Sequence, residues 1–134
     1  MSKRIKQGPE EAVLMRDRIK DALDDAKGIE INAMDVRELT DVTDYMIIAT
    51  GTSDRHVKTL ADRVLEFMAE KDWKPLGMEG EEAREWVLVD YVDVVVHIMR
   101  EQTRKHYDLE GLWNETFSQN LTEPTTERRE GETA

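Results

Sequence analysis

The stretch that decides the fold is "WVLVDYVDVVVHIMR", residues 86–100. Residues 86–89 and 93–99 are β-branched and apolar enough to form two strands, with Asp90, Tyr91 and Val92 turning between them. Strand side chains alternate, so Val94, Val96 and Ile98 share one face and Val95, His97 and Met99 the other. Both sets are largely apolar, which predicts a central strand covered on two sides. Four residues do not belong in a plain core: Asp90, Tyr91, Asp93 and His97. They are turn residues with a buried polar partner, or a metal or catalytic site, or part of a surface that another molecule covers. On the residues alone, all three readings stand.

The segments around this hairpin complete an α/β pattern. "GPEEAV" places Pro9 at a first helical position, with Glu10 and Glu11 at the positive end of the dipole. Ala12, Met15, Ile19, Ala22, Leu23 and Ala26 then share one helical face, and Lys27-Gly28 supplies an end. Residues 30–40 are β-like, and "DYMIIAT", 44–50, suits a buried strand. "GTSD" leads into a second helix with Thr52 or Ser53 as N-cap. Val57, Leu60, Ala61, Val64, Leu65 and Met68 repeat there at helical spacing. Residues 73–76 suggest a short edge strand, because Pro75 is tolerated poorly elsewhere. "GMEGEEAREW", 77–86, has the polar, glycine-punctuated character of a surface loop. "EQTRKHYDLEGLW", 101–113, suggests one or two short helices with Asp108 as a second cap. The predicted fold is a single α/β domain: a mixed sheet of about five strands flanked by helices. It spans residues 8–116, between a flexible N-terminus (1–7) and a disordered acidic tail (117–134), whose stretch "TEPTTERREGETA", 122–134, has no apolar period and no large apolar residue to bury.

Composition narrows the function. The chain has 134 residues, no cysteine and a formal net charge of −11, from 30 acidic and 19 basic residues. Disulfides and thiolate metal sites are excluded. Phosphate backbones repel such a chain, so nucleic acid is a poor direct partner and a basic protein a better one. No apolar run is long enough for a membrane span and no secretory signal is evident, so a cytoplasmic protein is expected.

The chemical motifs are weak. Asp90 and Asp93 flank a tight turn, but His97 lies roughly 13 Å beyond Asp93 at ordinary strand rise. Neither His56 nor His106 has metal-ligand spacing to it, so no metal, cofactor or catalytic residue is assigned. The loop Gly51, Thr52, Ser53, Asp54 precedes a helix and can cradle an anion. It lacks a Walker lysine and G-x-G-x-x-G spacing. A small phosphate- or nucleotide-binding enzyme using this loop with Asp90 and Asp93 is the alternative function. In "HYDLEGLW", Tyr107, Leu109, Leu112 and Trp113 either close the core or contact a partner.

Three blocks, "TDYMIIATGTSDRHVKTLADRV", "WVLVDYVDVVVHIM" and "HYDLEGLW", occur in the order found in the ribosomal silencing factor (Iojap) family, which this chain resembles from about Ile31 to Trp113. The resemblance implies a nucleotidyltransferase-like topology without catalysis. It implies binding to the large ribosomal subunit through a basic protein on its joining face, large-subunit protein fourteen, which blocks the small subunit and lowers translation when nutrients are scarce. It also implies a role in subunit assembly for some relatives, and homodimers of the free protein. Asp90, Tyr91, Asp93, His97, Met99, Tyr107, Leu109 and Trp113 are then the expected partner-binding residues. Two positions depart from the family pattern. Val92 stands where a small residue is usual and disfavours a positive φ in the turn. His106 stands where phenylalanine is usual and makes that edge more polar.

Overall fold

The computed structural model describes residues 4–111. Its elements are α1 (Pro9–Asp25), β1 (Ile29–Asp35), β2 (Tyr45–Gly51), α2 (Asp54–Ala69), β3 (Gly77–Glu79), β4 (Trp86–Asp90), β5 (Val94–Arg100) and α3 (Glu101–Tyr107). One five-stranded sheet runs in the order β1-β2-β5-β4-β3. Only β2 and β5 are parallel, with Tyr45 facing Val94 and Gly51 facing Arg100. The other pairs are antiparallel. The sheet is thus mixed, and β5 is its middle strand, as the apolar run requires. All its residues but Arg100 are buried.

The two periodic helices form as read. α1 buries Ala12, Met15, Ile19, Ala22 and Leu23. α2 buries Val57, Leu60, Ala61, Val64 and Met68, and the Ser53 hydroxyl caps it by accepting the His56 N–H. Both helices cover one sheet face, where they meet Ile47, Ala49, Val87, Val89, Val94, Val96 and Ile98. The opposite face carries a smaller cluster: Val36, Met46, Ile48 and Met99 are buried, and Met34, Leu39, Trp86 and Leu109 pack around them half-buried.

The edge strand lies further along than expected. Residues 73–76 are not a strand, whereas 77–79, within the expected loop, are β3. Proline has no N–H to give the ladder. Pairing begins one residue after Pro75, where the Leu76 N–H donates to the Asp90 carbonyl at 2.7 Å. It continues as Gly77–Asp90, Met78–Val89 and Glu79–Leu88. Only Met78 of the three is half-buried, so the segment had too little apolar alternation to read as a strand.

The β4–β5 turn keeps a positive φ despite its valine: Val92 sits at φ 72. That conformation costs a β-branched residue roughly 1–2 kcal/mol. Three bonds hold it there. The Val92 N–H donates to Asp90 Oδ1 at 2.8 Å. The Asp93 N–H reaches the Tyr91 carbonyl at 2.8 Å, and the Tyr91 N–H reaches that of Val94 at 2.9 Å.

Candidate docking face

The hairpin divides the expected site residues between its two ends. Asp90, Tyr91 and Asp93 lie at the turn. His97, Met99, Tyr107 and Leu109 lie toward the far end of β5 and beyond it. Leu112 and Trp113 fall outside the described residues, as does the 117–134 tail.

At the turn, the carboxylates are already engaged by the start of the chain. Asp93 has no exposed surface. Its carboxylate accepts the Gln7 N–H at 3.0 and 2.9 Å and the Gly8 N–H at 3.3 Å. This makes an anion cap for the lead-in to α1, which has no side-chain cap of its own. Asp90 pairs with Arg4 at 2.5 Å. Tyr91 is buried, and burial pushes its phenol well above the ordinary range.

The far end is aromatic. His97 is buried, and its Nδ1 accepts the Trp86 indole N–H at 2.9 Å. The ring proton therefore sits on Nε2. Burial lowers the His97 pKa to about 4, so the imidazole is neutral at physiological pH. Trp86 stacks obliquely on Tyr107, with ring centroids 4.8 Å apart, and His106 meets Tyr107 edge-on at the same separation. Tyr107 is 54% exposed. Met99 is fully buried beneath this cluster, and Leu109 packs against it half-buried. Tyr107, with Trp86 behind it, is the exposed part of this cluster; His97 and Met99 lie buried on the same sheet face.

Reading the residues alone did not find the group that fixes α3. Arg104 is almost buried and reaches four acceptors. It donates to the Glu30 carbonyl and Thr50 Oγ1, both at 2.8 Å, and forks onto Glu110 at 3.0 and 2.5 Å. Asn32 also donates to Glu110, at 2.8 Å. The guanidinium beside it holds the Glu110 carboxyl below its ordinary pKa. The Glu30 carbonyl is within reach because Glu30 adopts φ 49 at a bulge in β1. Asp108, at φ 46, ends α3, and its carboxylate caps the next turn by accepting the Gly111 N–H at 3.1 Å. The capping role read from the sequence is the one observed. An arginine within a polar run gives no sign of its long-range partners, and this one became visible only with the β1 bulge.

The loop 51–54 uses its polar groups internally. The Thr52 N–H donates to His56 Nδ1 at 2.9 Å, and His56 Nε2–H donates to the Ala26 carbonyl at 2.9 Å. Ser53 caps α2, and Asp54 pairs with Arg100 at 3.1 Å. Gly51 is explained by packing: a Cβ there would lie 2.8 Å from Val57 Cγ2 and 3.0 Å from its nitrogen. Gly51→Ala is expected to cost about 1–3 kcal/mol in denaturant unfolding by overpacking. Wild-type stability in that variant would show that the loop keeps its glycine for another reason. Among the described residues, no three His, Asp or Glu side chains are grouped to hold a metal ion.

The family model for ribosomal silencing factor during starvation (RsfS) matches residues 9–134. The chain belongs to the ribosomal silencing factor family. The ribosomal silencing factor RsfS of Chromobacterium violaceum is 47% identical over 93 residues, which are 69% of this chain and 76% of that protein. A crystal structure of protein CV0518 from the same organism superposes with a TM-score of 0.75 at 43% identity, covering 77% of this chain and 86% of the other. A mouse protein described as mitochondrial assembly of ribosomal large subunit protein 1 is 34% identical over 74 residues, 53% of this chain and 32% of its own length. This silencing factor is therefore a translation regulator associated with the ribosome. No described helix is long and apolar enough to cross a membrane.

Proposed function

We propose that this silencing factor binds the large ribosomal subunit at its joining face, through the basic large-subunit protein fourteen, and sterically blocks the small subunit. The observation that carries the reading is the Trp86–Tyr107 aromatic pair, presented on the sheet face that α1 and α2 leave uncovered. Aromatic anchors of this kind concentrate binding energy. The net charge of −11 suits a basic partner and speeds encounter with it. The occupied 51–54 loop offers little to the phosphate-binding alternative. The setting is the cytoplasm, and the same face pairs two copies of the free protein, so dimer and ribosome compete for it.

The test is subunit joining. Purified small and large bacterial subunits are mixed at joining magnesium with and without excess protein and resolved on a sucrose gradient. The joined peak falls and the protein travels with the large subunit. Tyr107→Ala, an exposed truncation, weakens large-subunit binding about tenfold or more with little change in melting temperature. Unimpaired joining, with the protein left at the top of the gradient, removes the blocking role.

A further inference from the structure

The turn end of the hairpin is occupied by a segment that resembles a bound peptide. Residues 4–8 run past three carboxylates drawn from separate strand ends. Arg4 Nη1 pairs with Asp90 at 2.5 Å, and its Nε donates to the Val42 carbonyl at 3.2 Å. Lys6 Nζ pairs with Asp44 at 2.9 Å. Gln7 and Gly8 give their N–H groups to the fully buried Asp93. Lys3, Arg4 and Lys6 make this start of an acidic chain basic. Ile5, the large apolar residue of the segment, remains 61% exposed. The segment is thus held by charge and hydrogen bonds, with little apolar burial. The cations Arg4 and Lys6 keep about a third of their side chains exposed, while Asp90 and Asp44 are mostly buried, so salt reaches the pairs from the cation side. Gly8, at φ 115 immediately before Pro9, sets the angle at which the segment leaves α1.

We propose that residues 4–8 are an internal competitor, occupying in cis an acidic dock of Asp44, Asp90 and Asp93 that takes a basic extended segment of the partner protein. The dock recognises two cations spaced two residues apart in an extended chain, followed by main-chain N–H groups for the buried carboxylate. The structure displays that recognition with the chain's own arm in place. That the large subunit supplies the incoming segment rests on the silencing reading above; the dock itself does not. A partner that must displace the arm binds more weakly by the fraction of molecules in which the dock stands open.

The probe is a fluorescent peptide of residues 2–8, SKRIKQG, titrated into the full-length wild type and the full-length Arg4→Glu/Lys6→Glu variant. Charge reversal repels the arm from Asp90 and Asp44 and opens the dock. The variant is expected to bind the peptide at least tenfold tighter than wild type, and Asp90→Asn in that background should cancel most of the gain. In wild type, excess peptide should accelerate amide exchange at Gln7 and Gly8, which needs no variant to fold. Equal peptide binding by the two proteins, with Gln7 and Gly8 exchange unchanged, overturns the dock. Large subunits provide the third arm: the variant should bind them several-fold tighter. A variant that gains for the peptide and not for subunits overturns the assignment of the incoming segment to the ribosome. If neither protein binds subunits, the silencing reading fails, and the peptide result alone decides the dock.

Discussion

Between pH 6.5 and pH 4.5, His97 alone is expected to remove about 2–3 kcal/mol of folding stability. Its pKa is lowered to about 4 by burial, from an ordinary value of 6.5. In that window the unfolded chain binds a proton that the folded chain refuses. Stability therefore rises with pH across the window. The contribution is complete above 6.5 and is lost as pH falls toward 4. Protonation also has a geometric cost, because Nδ1 is the acceptor of the Trp86 indole N–H and would become a donor facing a donor. Many carboxylates titrate nearby in pH, so the comparison must isolate the imidazole. His97→Gln retains an acceptor for Trp86 and has nothing to protonate. Urea unfolding of both proteins at pH 7.0 and 4.5 should show a shallower loss in the variant, by about the amount above. Parallel losses in the two proteins would mean that His97 titrates normally in the folded state.

Arg104→Ala is the second large effect, with an expected cost of about 2–3 kcal/mol. Charge-assisted bidentate bonds are strong, and truncating one partner of a largely buried pair strands the other. The full cost of breaking a buried pair, about 3–5 kcal/mol, is avoided because the Glu110 side chain is 24% exposed and can turn toward water. Arg104→Lys should recover only part of the loss, since a point cation cannot reproduce the fork onto Glu110 while also reaching Glu30 and Thr50. The functional consequence is a separate readout. Arg104 ties α3 to β1 and β2, and Tyr107 sits at the end of α3. Large-subunit binding should therefore fall in Arg104→Ala even at temperatures where the fold persists. A stability change under about 0.5 kcal/mol would assign the positioning of α3 to apolar contacts, with Leu109 the first candidate.

What the sequence disclosed follows how far each signal reaches along the chain. α2 and β5 were legible because their apolar repeats are long and regular, and Asp108 because a cap is a local device. β3 was missed because three residues with one half-buried side chain carry almost no pattern. Asp90 and Asp93 are legible as flanking a tight turn, one of three readings the residues leave open. Asp90 does bond its own turn, at Val92. The further partners of both carboxylates, Arg4, Gln7 and Gly8, lie at the other end of the chain, and no spacing rule connects them. The aromatic face was half visible: Tyr107 and His97 were singled out for their chemistry. Trp86 passed as an ordinary strand residue, because its indole partner is set by the register that puts Leu88 opposite His97. The valine in the turn shows the limit of propensity. Three local bonds outweigh the strain of φ 72 at Val92.

The position of β5 has a consequence for how the molecule comes into being. It is the seam between β1-β2 on one side and β4-β3 on the other, and among the described residues no other strand bridges them. A nascent chain that has not yet released residues 94–100 holds two separate strand pairs, each with an apolar edge and no mate. Parallel pairing of β2 with β5 closes a long loop and is slow to form for that reason. Until then the inner edges of β2 and β4 are unpaired strand edges of the kind that seed aggregation. A ribosome stalled while making this protein would therefore display an adhesive half-sheet, and completion of the single strand 94–100 turns it into a closed domain.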